Sequence, residues 1–264
     1  AIVMRMLAER MQLETAHGRE IVGVLLFQDL AVVPLLIVVP ALAGGSEALA
    51  THLGIALLKA AVVLSLLLFL GHRLLQGWLN IVAKRRSHEL FVLNVLLVTL
   101  GLAWLTELAG LSLALGAFIG GMLISETQYR HQVEEDIKPF RDILLGLFFV
   151  TVGMLLDLRV VAASLPMVLS IFAGSLIVKF AILGGLSRLF GSTPGISLRT
   201  ALSLVQSGEF GLVIIALATQ HGVVEGELSQ AVVAAMLLSM LVAPFLIQYS
   251  DRIVMRLASS EWML

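Results

Sequence analysis

Long apolar runs are the feature that most constrains what this chain can fold into. Eight stretches consist mainly of aliphatic and aromatic residues, and most of them are long enough to cross a hydrocarbon core of about 30 Å, which takes roughly 20 helical residues. The runs cover residues 20–43, 49–75, 88–108, 110–126, 139–160, 162–190, 196–220 and 227–250. We therefore expect about eight full membrane spans.

The composition indicates the same class of protein. Of the 264 residues, 59% are hydrophobic and only 13% are charged, which is far from the balance of ordinary soluble domains. Lipid offers no partners to backbone amides and carbonyls, and the alternating pattern of a membrane barrel is absent, so the spans must be helices. We expect an all-α polytopic membrane protein. The sequence contains no cysteine, which excludes disulfides and thiolate metal sites.

The first residues, "AIVMRMLAERM" (1–11), have the pattern of the closing turns of another helix. They predict a partial span before the eight full ones. The sequence opens on alanine rather than methionine, so we expect that it starts within a longer protein. Residues 1–264 would then be a partial transmembrane domain whose first helices are missing.

Basic residues predict the orientation of the chain. Fourteen of the 17 lysines and arginines fall in one set of alternate connections between the predicted spans, and only Arg159 falls in the other set. Lys59 and Lys179 fall inside spans. Such an asymmetry follows the positive-inside rule, and one missed or extra helix would scramble it. We therefore expect the C-terminus on the cytoplasmic side.

Three ionisable residues are predicted at one depth near the middle of the bilayer. Asp29 follows Arg19 by ten residues, which is about 15 Å of helix; Glu209 follows Arg199 by the same number, and Lys179 lies mid-span. A charge at that depth costs at least about 2.5–3.5 kcal/mol, so it needs a partner, a wet cavity or neutralisation. A functional site is the default hypothesis. A structural ion pair between Asp29 and Lys179 is the alternative.

The neighbours of Asp29 favour a cation site. Gln28 adds an amide oxygen beside the carboxylate, and oxygen ligands of both kinds suit a hard monovalent cation. Pro34 is expected to kink this helix one turn later and to open backbone carbonyls nearby. Polar residues also hold membrane helices together, so Gln28 alone does not decide between the two roles.

The segment "QSGEFG" (206–211) combines two glycines with Gln206, Ser207 and Glu209 in the middle of a predicted span. This composition predicts a weakened or broken helix. Discontinuous helices near the midplane, with backbone dipoles facing an ion, are typical of secondary transporters built from inverted repeats. The alternative is a close-packed helix crossing in which Glu209 faces a water-filled groove.

Three motifs together resemble a known family. They are "VLLFQDLAVVPLL" (24–36), "GLSLALGAFIGGMLISETQYRHQVEEDIKPFRDILLGLFFVTVGM" (110–154) and "QSGEFG" (206–211). They resemble the membrane domain of the monovalent cation:proton antiporter-2 family, and within it the Kef-type, glutathione-regulated potassium efflux systems of bacteria. The resemblance runs over nearly the whole chain. It implies an inverted-repeat, sodium/proton-exchanger-like fold with crossed broken helices beside a dimerising panel.

The resemblance also implies a set of site residues. Gln28 and Asp29 would bind the cation or the proton, and Lys179 would pair with Asp29 when no cation is bound. The supporting candidates near the broken helix are Gln206, Ser207 and Glu209.

The charged segment "YRHQVEEDIKPFR" (129–141) is predicted to be a cytoplasmic loop. In Kef-type proteins an "HALExDI" stretch at this place restrains transport through contacts with a cytosolic nucleotide-binding domain. Here His131, Glu134 and Asp136 match that pattern, whereas Gln132 and Val133 replace its Ala-Leu pair. A plain solvated loop is the alternative. No GxGxxG occurs within the chain, so any regulatory domain would follow residue 264.

These inferences predict a multi-pass protein of the bacterial inner membrane that exchanges K⁺, or alternatively Na⁺, for protons by alternating access. Asp29 would bind a proton or the cation but never both, with one proton per cation as the simplest stoichiometry. We expect a lipid-embedded homodimer, with no cofactor in this chain, no resident metal, no nucleic-acid partner and no enzymatic activity. A potassium channel is the alternative, but the complete TVGYG filter sequence does not occur. An intramembrane hydrolase lacks both HExxH and a second mid-membrane aspartate.

Overall fold

The computed structural model of the protein describes residues 2–42, 49–85 and 87–257, and within these ranges all regular structure is α-helical. The described residues form eleven helices. In chain order they are α1 (Ile2–Glu9), α2 (Ala16–Leu42), α3 (Leu49–Ala83), α4 (His88–Leu108), α5 (Leu113–Ser125), α6 (Arg130–Leu155), α7 (Leu158–Ala163), α8 (Leu165–Leu189), α9 (Pro194–Leu204), α10 (Glu209–Gln220) and α11 (Gly226–Leu257).

The all-helical fold class is confirmed for the described residues, and α1 is helical as predicted, whereas its being part of a longer span stays a prediction. Within the part of the chain that the structure describes, four helices are long and apolar enough to cross a membrane, namely α2, α4, α8 and residues Gly226–Ser250 of α11. The bent pair α9 and α10 makes a fifth candidate if it is one span. With 13 residues, α5 is shorter than a straight crossing requires. The count of eight spans therefore stays a prediction.

The described residues group into two compact units. The first unit is drawn from Ala1–Val32, Leu156–Thr219 and Val224–Leu264, and the second from Val33–Leu155 and Gln220–Val223. In the first unit, a buried cluster joins Leu7 of α1, Ile21 of α2, Leu183 of α8, Leu204 of α9 and Ile247 of α11. This cluster packs the N-terminal half of α2 against the helices that surround the break between α9 and α10.

In the second unit, two glycines let α5 pack closely on α4. A Cβ atom on Gly116 would lie 2.0 Å from Thr106 Oγ1 and 2.6 Å from the Cα atom of Ala103, and one on Gly120 would lie 3.4 Å from the Cα atom of Thr99. Small residues four positions apart are a common device for close helix packing in membranes. Thr106 is fully buried at this contact, and its hydroxyl donates to the carbonyl of Ala103 at 2.7 Å.

The charged segment 129–141 is not a loop, and this prediction was wrong. Helix α6 begins at Arg130, so His131, Glu134 and Asp136 all lie on its first turns. The expectation of a loop came from the end of the apolar run, which marks where a helix would leave lipid and not where helical hydrogen bonding stops. Glutamate, glutamine and lysine are good helix formers, and Glu134 and Lys138 have the i,i+4 spacing of a stabilising pair.

Helix α2 is continuous through Pro34 and Pro40. Proline has no amide hydrogen, so the carbonyl of Leu30 loses the donor that residue 34 would otherwise give it. This carbonyl belongs to the residue directly after Asp29. The sequence therefore leaves this backbone carbonyl, near the centre of α2, without its usual helical donor.

Candidate functional site

The most distinctive feature of the first unit is a four-residue break in a helix. Helix α9 ends at Leu204 and α10 begins at Glu209, and the two axes are bent by 47°. Glycine and short polar residues lower helix propensity in this stretch, and the amide of Gly211 donates to the carbonyl of Gly208 at 3.1 Å in the first turn of α10. The interruption predicted from "QSGEFG" is confirmed.

Two neighbouring helices hold the broken segment. From α8, the ammonium of Lys179 donates to the main-chain carbonyl of Gln206. From α11, the hydroxyl of Ser239 accepts a hydrogen bond from the amide of Ser207 at 3.0 Å and itself donates to the carbonyl of Met236 at 2.7 Å. A backbone carbonyl and an amide that the helix would have paired internally are thus satisfied by side chains from outside it.

The side chain of Gln206 lies buried within the break. The residue is only 9% exposed, and its Oε1 atom is buried without a hydrogen-bond partner among the described residues. Buried polar atoms are rarely left unpaired, because the lost hydration costs about 1–3 kcal/mol. An unpaired oxygen here marks a place where a donor or a cation would be stabilised.

The break also has a definite electrostatic pattern. The last carbonyls of α9 form its negative end, where Lys179 supplies a positive charge, and the first amides of α10 form its positive end, where Glu209 supplies a negative charge. The carboxylates of Glu209 and Asp29 lie within electrostatic reach of each other. The break and the mid-helix aspartate are therefore parts of one charged region of the first unit.

Asp29 occupies the central position of α2, thirteen residues from either end of Ala16–Leu42. Its side chain is exposed on the described chain, whereas Gln28 is half-buried. No ion pair joins Asp29 to Lys179, although both residues are described, because the lysine is directed to the Gln206 carbonyl. The structure thus brings Lys179 together with Gln206, and Asp29 near Glu209. The predicted pairing of Asp29 with Lys179 stays a prediction about another state.

The three candidates for regulation lie in the second unit. His131 and Glu134 are exposed, and the Nε2 atom of His131 accepts from the guanidinium of Arg130 at 3.2 Å. Asp136 is mostly buried: one of its oxygens lies 3.5 Å from Nδ1 of His88 at the start of α4, and the other, Oδ2, has no partner among the described residues. His88 was not predicted from the sequence, because the sequence does not show which helix the side chain of Asp136 faces.

Ser239 is another residue that the sequence did not single out, and its effect can be tested. We expect Ser239→Ala to destabilise the protein by about 1–2 kcal/mol, because the amide of Ser207 loses its acceptor. Ser250→Ala is the matched control on the same helix, since the described hydrogen bond of its hydroxyl is to the carbonyl of Ile247 in its own helix. Thermal unfolding in detergent would measure both. Equal losses of stability would show that Ser239 does not hold the break.

Together, the apolar helices, the discontinuous pair α9–α10 and the charged residues at mid-helix define a polytopic, all-helical membrane protein with a polar break in its interior. The family model described as "Sodium/hydrogen exchanger, transmembrane" matches residues 1–249. The chain belongs to that family, and the resemblance to its Kef-type members is confirmed.

Individual relatives agree with this assignment. A protein of Alkalimonas amylolytica, provisionally named the K(+) efflux antiporter KefB, is 40% identical over 250 residues, which are 94% of this chain and 38% of the relative. The chloroplastic K(+) efflux antiporter 2 of Arabidopsis thaliana is 40% identical over 93% of this chain and 22% of its own length. The glutathione-regulated potassium-efflux system protein KefC of Klebsiella pneumoniae is 35% identical over 96% of this chain and 41% of its own. The chain thus spans less than half the length of each of these relatives.

Proposed function

We propose that this chain is the ion-translocating part of a monovalent cation/proton antiporter. The observation that carries the proposal is the break between α9 and α10, with Lys179 on the carbonyl of Gln206 and Asp29 within reach of Glu209. Membrane helices are interrupted where backbone dipoles serve an ion, and family membership favours that role. The names of the relatives favour K⁺ over Na⁺ as the cation.

In this proposal Asp29 is the exchange site. Its carboxylate takes either a proton or the cation, and competition between the two couples their movements. The amide oxygen of Gln28 and the carbonyl of Leu30, which has no amide donor at residue 34, are further oxygen ligands on the same helix, of the type that hard cations prefer. One carboxylate per site gives one proton per cation. Alternating access then requires that the core of inverted repeats carry the site from one membrane face to the other.

The remaining parts of the proposal concern the whole protein. We place it in the bacterial inner membrane with its C-terminus in the cytoplasm, as a homodimer surrounded by lipid. The first turns of α6, with His131, Glu134 and Asp136, would face a cytosolic nucleotide-binding domain. The buried, half-paired carboxylate of Asp136 supports a role in such a contact, because a partner that donates to its free oxygen would stabilise it.

Ion flux in liposomes tests the proposal. The complete protein is reconstituted with a pH-sensitive dye inside, a pH gradient is imposed, and K⁺, Na⁺ or Rb⁺ is added outside. We expect each transported cation to drive proton movement in the opposite direction, at a rate that does not require a membrane potential. Cation movement without proton movement would indicate a channel instead, and no movement of either would contradict transport.

A further inference from the structure

Lys179 supplies a positive charge from the chain itself at the break between α9 and α10. Its ammonium reaches from α8 into the break and is held by the main-chain oxygen of Gln206, at the negative end of α9. A potassium ion placed at this position would meet the same carbonyl oxygen and the same helix dipole. The site that Lys179 fills therefore has the chemistry of a monovalent-cation site.

The side chain of Gln206 gives independent support. Its Oε1 atom is buried and unpaired, so one residue presents two oxygens within the break, of which only the main-chain oxygen is used. Three donors are available on an ammonium, yet the described contacts of Lys179 include only the carbonyl. A spherical cation with several open coordination positions would satisfy both oxygens together, because it has no fixed direction of bonding.

We propose that Gln206 forms a second monovalent-cation site, distinct from Asp29, and that Lys179 is its resident occupant in the cation-free state. This proposal rests on the proposed function, since it assigns a further step to the same ion path. The transported cation and the ammonium of Lys179 cannot occupy the break together, because two positive charges on the same carbonyl oxygen would repel strongly in a low dielectric.

The proposal makes a prediction that a simple Asp29–Lys179 pair does not make. If Lys179 acted only through Asp29, its removal would have no effect on cation binding once Asp29 is neutral. If Lys179 competes for Gln206, its removal opens that site whatever residue stands at position 29. Cation binding in a background that carries Asp29→Asn therefore separates the two roles.

The experiment measures Rb⁺ binding to the complete protein in detergent by calorimetry, in the Asp29→Asn background. We expect Lys179→Met to tighten Rb⁺ binding about tenfold or more relative to Lys59→Met, which removes the lysine that lies inside α3. Adding Gln206→Leu to Lys179→Met should remove the gain. Equal affinities in the two lysine variants, or a gain that survives Gln206→Leu, would overturn the second site.

A further variant covers the case in which Gln206→Leu does not fold. Gln206→Glu, again with Asp29→Asn and Lys179→Met, places a charged oxygen in the break and should bind Rb⁺ more tightly than the glutamine parent does. No increase would count against the site. The binding result is independent of transport: Rb⁺ binding at Gln206 in this background, combined with no exchange by the unsubstituted protein in liposomes, would contradict the proposed function alone.

Discussion

Replacement of Asp29 by asparagine is expected to abolish cation/proton exchange while the protein stays folded. The amide has nearly the same shape as the carboxyl group, but it neither releases a proton nor offers a negative charge to a cation. Asp29 has no hydrogen bond or ion pair to another described side chain, and its side chain is exposed on the described chain. The loss of function should therefore come without loss of packing.

Liposome flux and thermal unfolding, measured on the same preparations, check this prediction. Asp142→Asn is the matched control, because Asp142 is an exposed aspartate whose contact with Arg141, at 2.9 Å, lies within the second unit. We expect exchange in the Asp29→Asn protein to fall to the level of empty liposomes, and exchange in the Asp142→Asn protein to stay close to that of the wild type. Substantial residual exchange by a well-folded Asp29→Asn protein would remove Asp29 from the mechanism.

The second large effect is expected at Gly116, where a single methyl group should disrupt the contact between α4 and α5. The added Cβ atom would lie 2.0 Å from Thr106 Oγ1 and 2.6 Å from both the Cα atom of Ala103 and the carbonyl oxygen of Leu102. Two of these three atoms belong to the backbone, so no side-chain rotation relieves the overlap. We expect Gly116→Ala to cost about 1–3 kcal/mol or more, as overpacking of tight contacts does.

Gly121→Ala on the same helix is the control for this prediction. A Cβ atom at Gly121 meets nothing within 4 Å, so the change should leave stability unchanged or raise it by up to about 1 kcal/mol through helix propensity. Unfolding midpoints of the two variants in detergent would be compared with that of the parent. Similar midpoints for both variants would show that α5 does not pack on α4 as closely as the structure indicates.

Local features of the fold were predictable because their causes are local. The break at residues 205–208 follows from glycine and polar residues with low helix propensity, and the run around Asp29 follows from length and hydropathy. Helix α6 was misjudged at its start, since hydropathy reports where a helix meets lipid and is blind to a polar helical extension. The spacing of Gly116 and Gly120 was visible in the sequence, but not that α4 would be their partner.

The contacts within the candidate site were not predictable, because they join segments that are distant in sequence. Lys179 and Gln206 are 27 residues apart, and Ser207 and Ser239 are 32 apart. A sequence shows that a lysine lies inside a span, but not whether its ammonium meets a carboxylate or a carbonyl. Residue type therefore predicted where ionisable side chains lie along the helices, while their pairing depended on how α8 and α11 pack against the break.

The attachment of the break to its neighbours has a consequence for recombination between relatives. The bend in this segment depends on a lysine from α8 and a serine from α11, so its shape is not a property of residues 194–220 alone. A chimera that receives only residues 194–220 from another exchanger would lack that exchanger's own residues at the positions of Lys179 and Ser239. Helix α8, the broken pair α9–α10 and α11 should therefore be exchanged together, with the crossover points between homologues outside these elements.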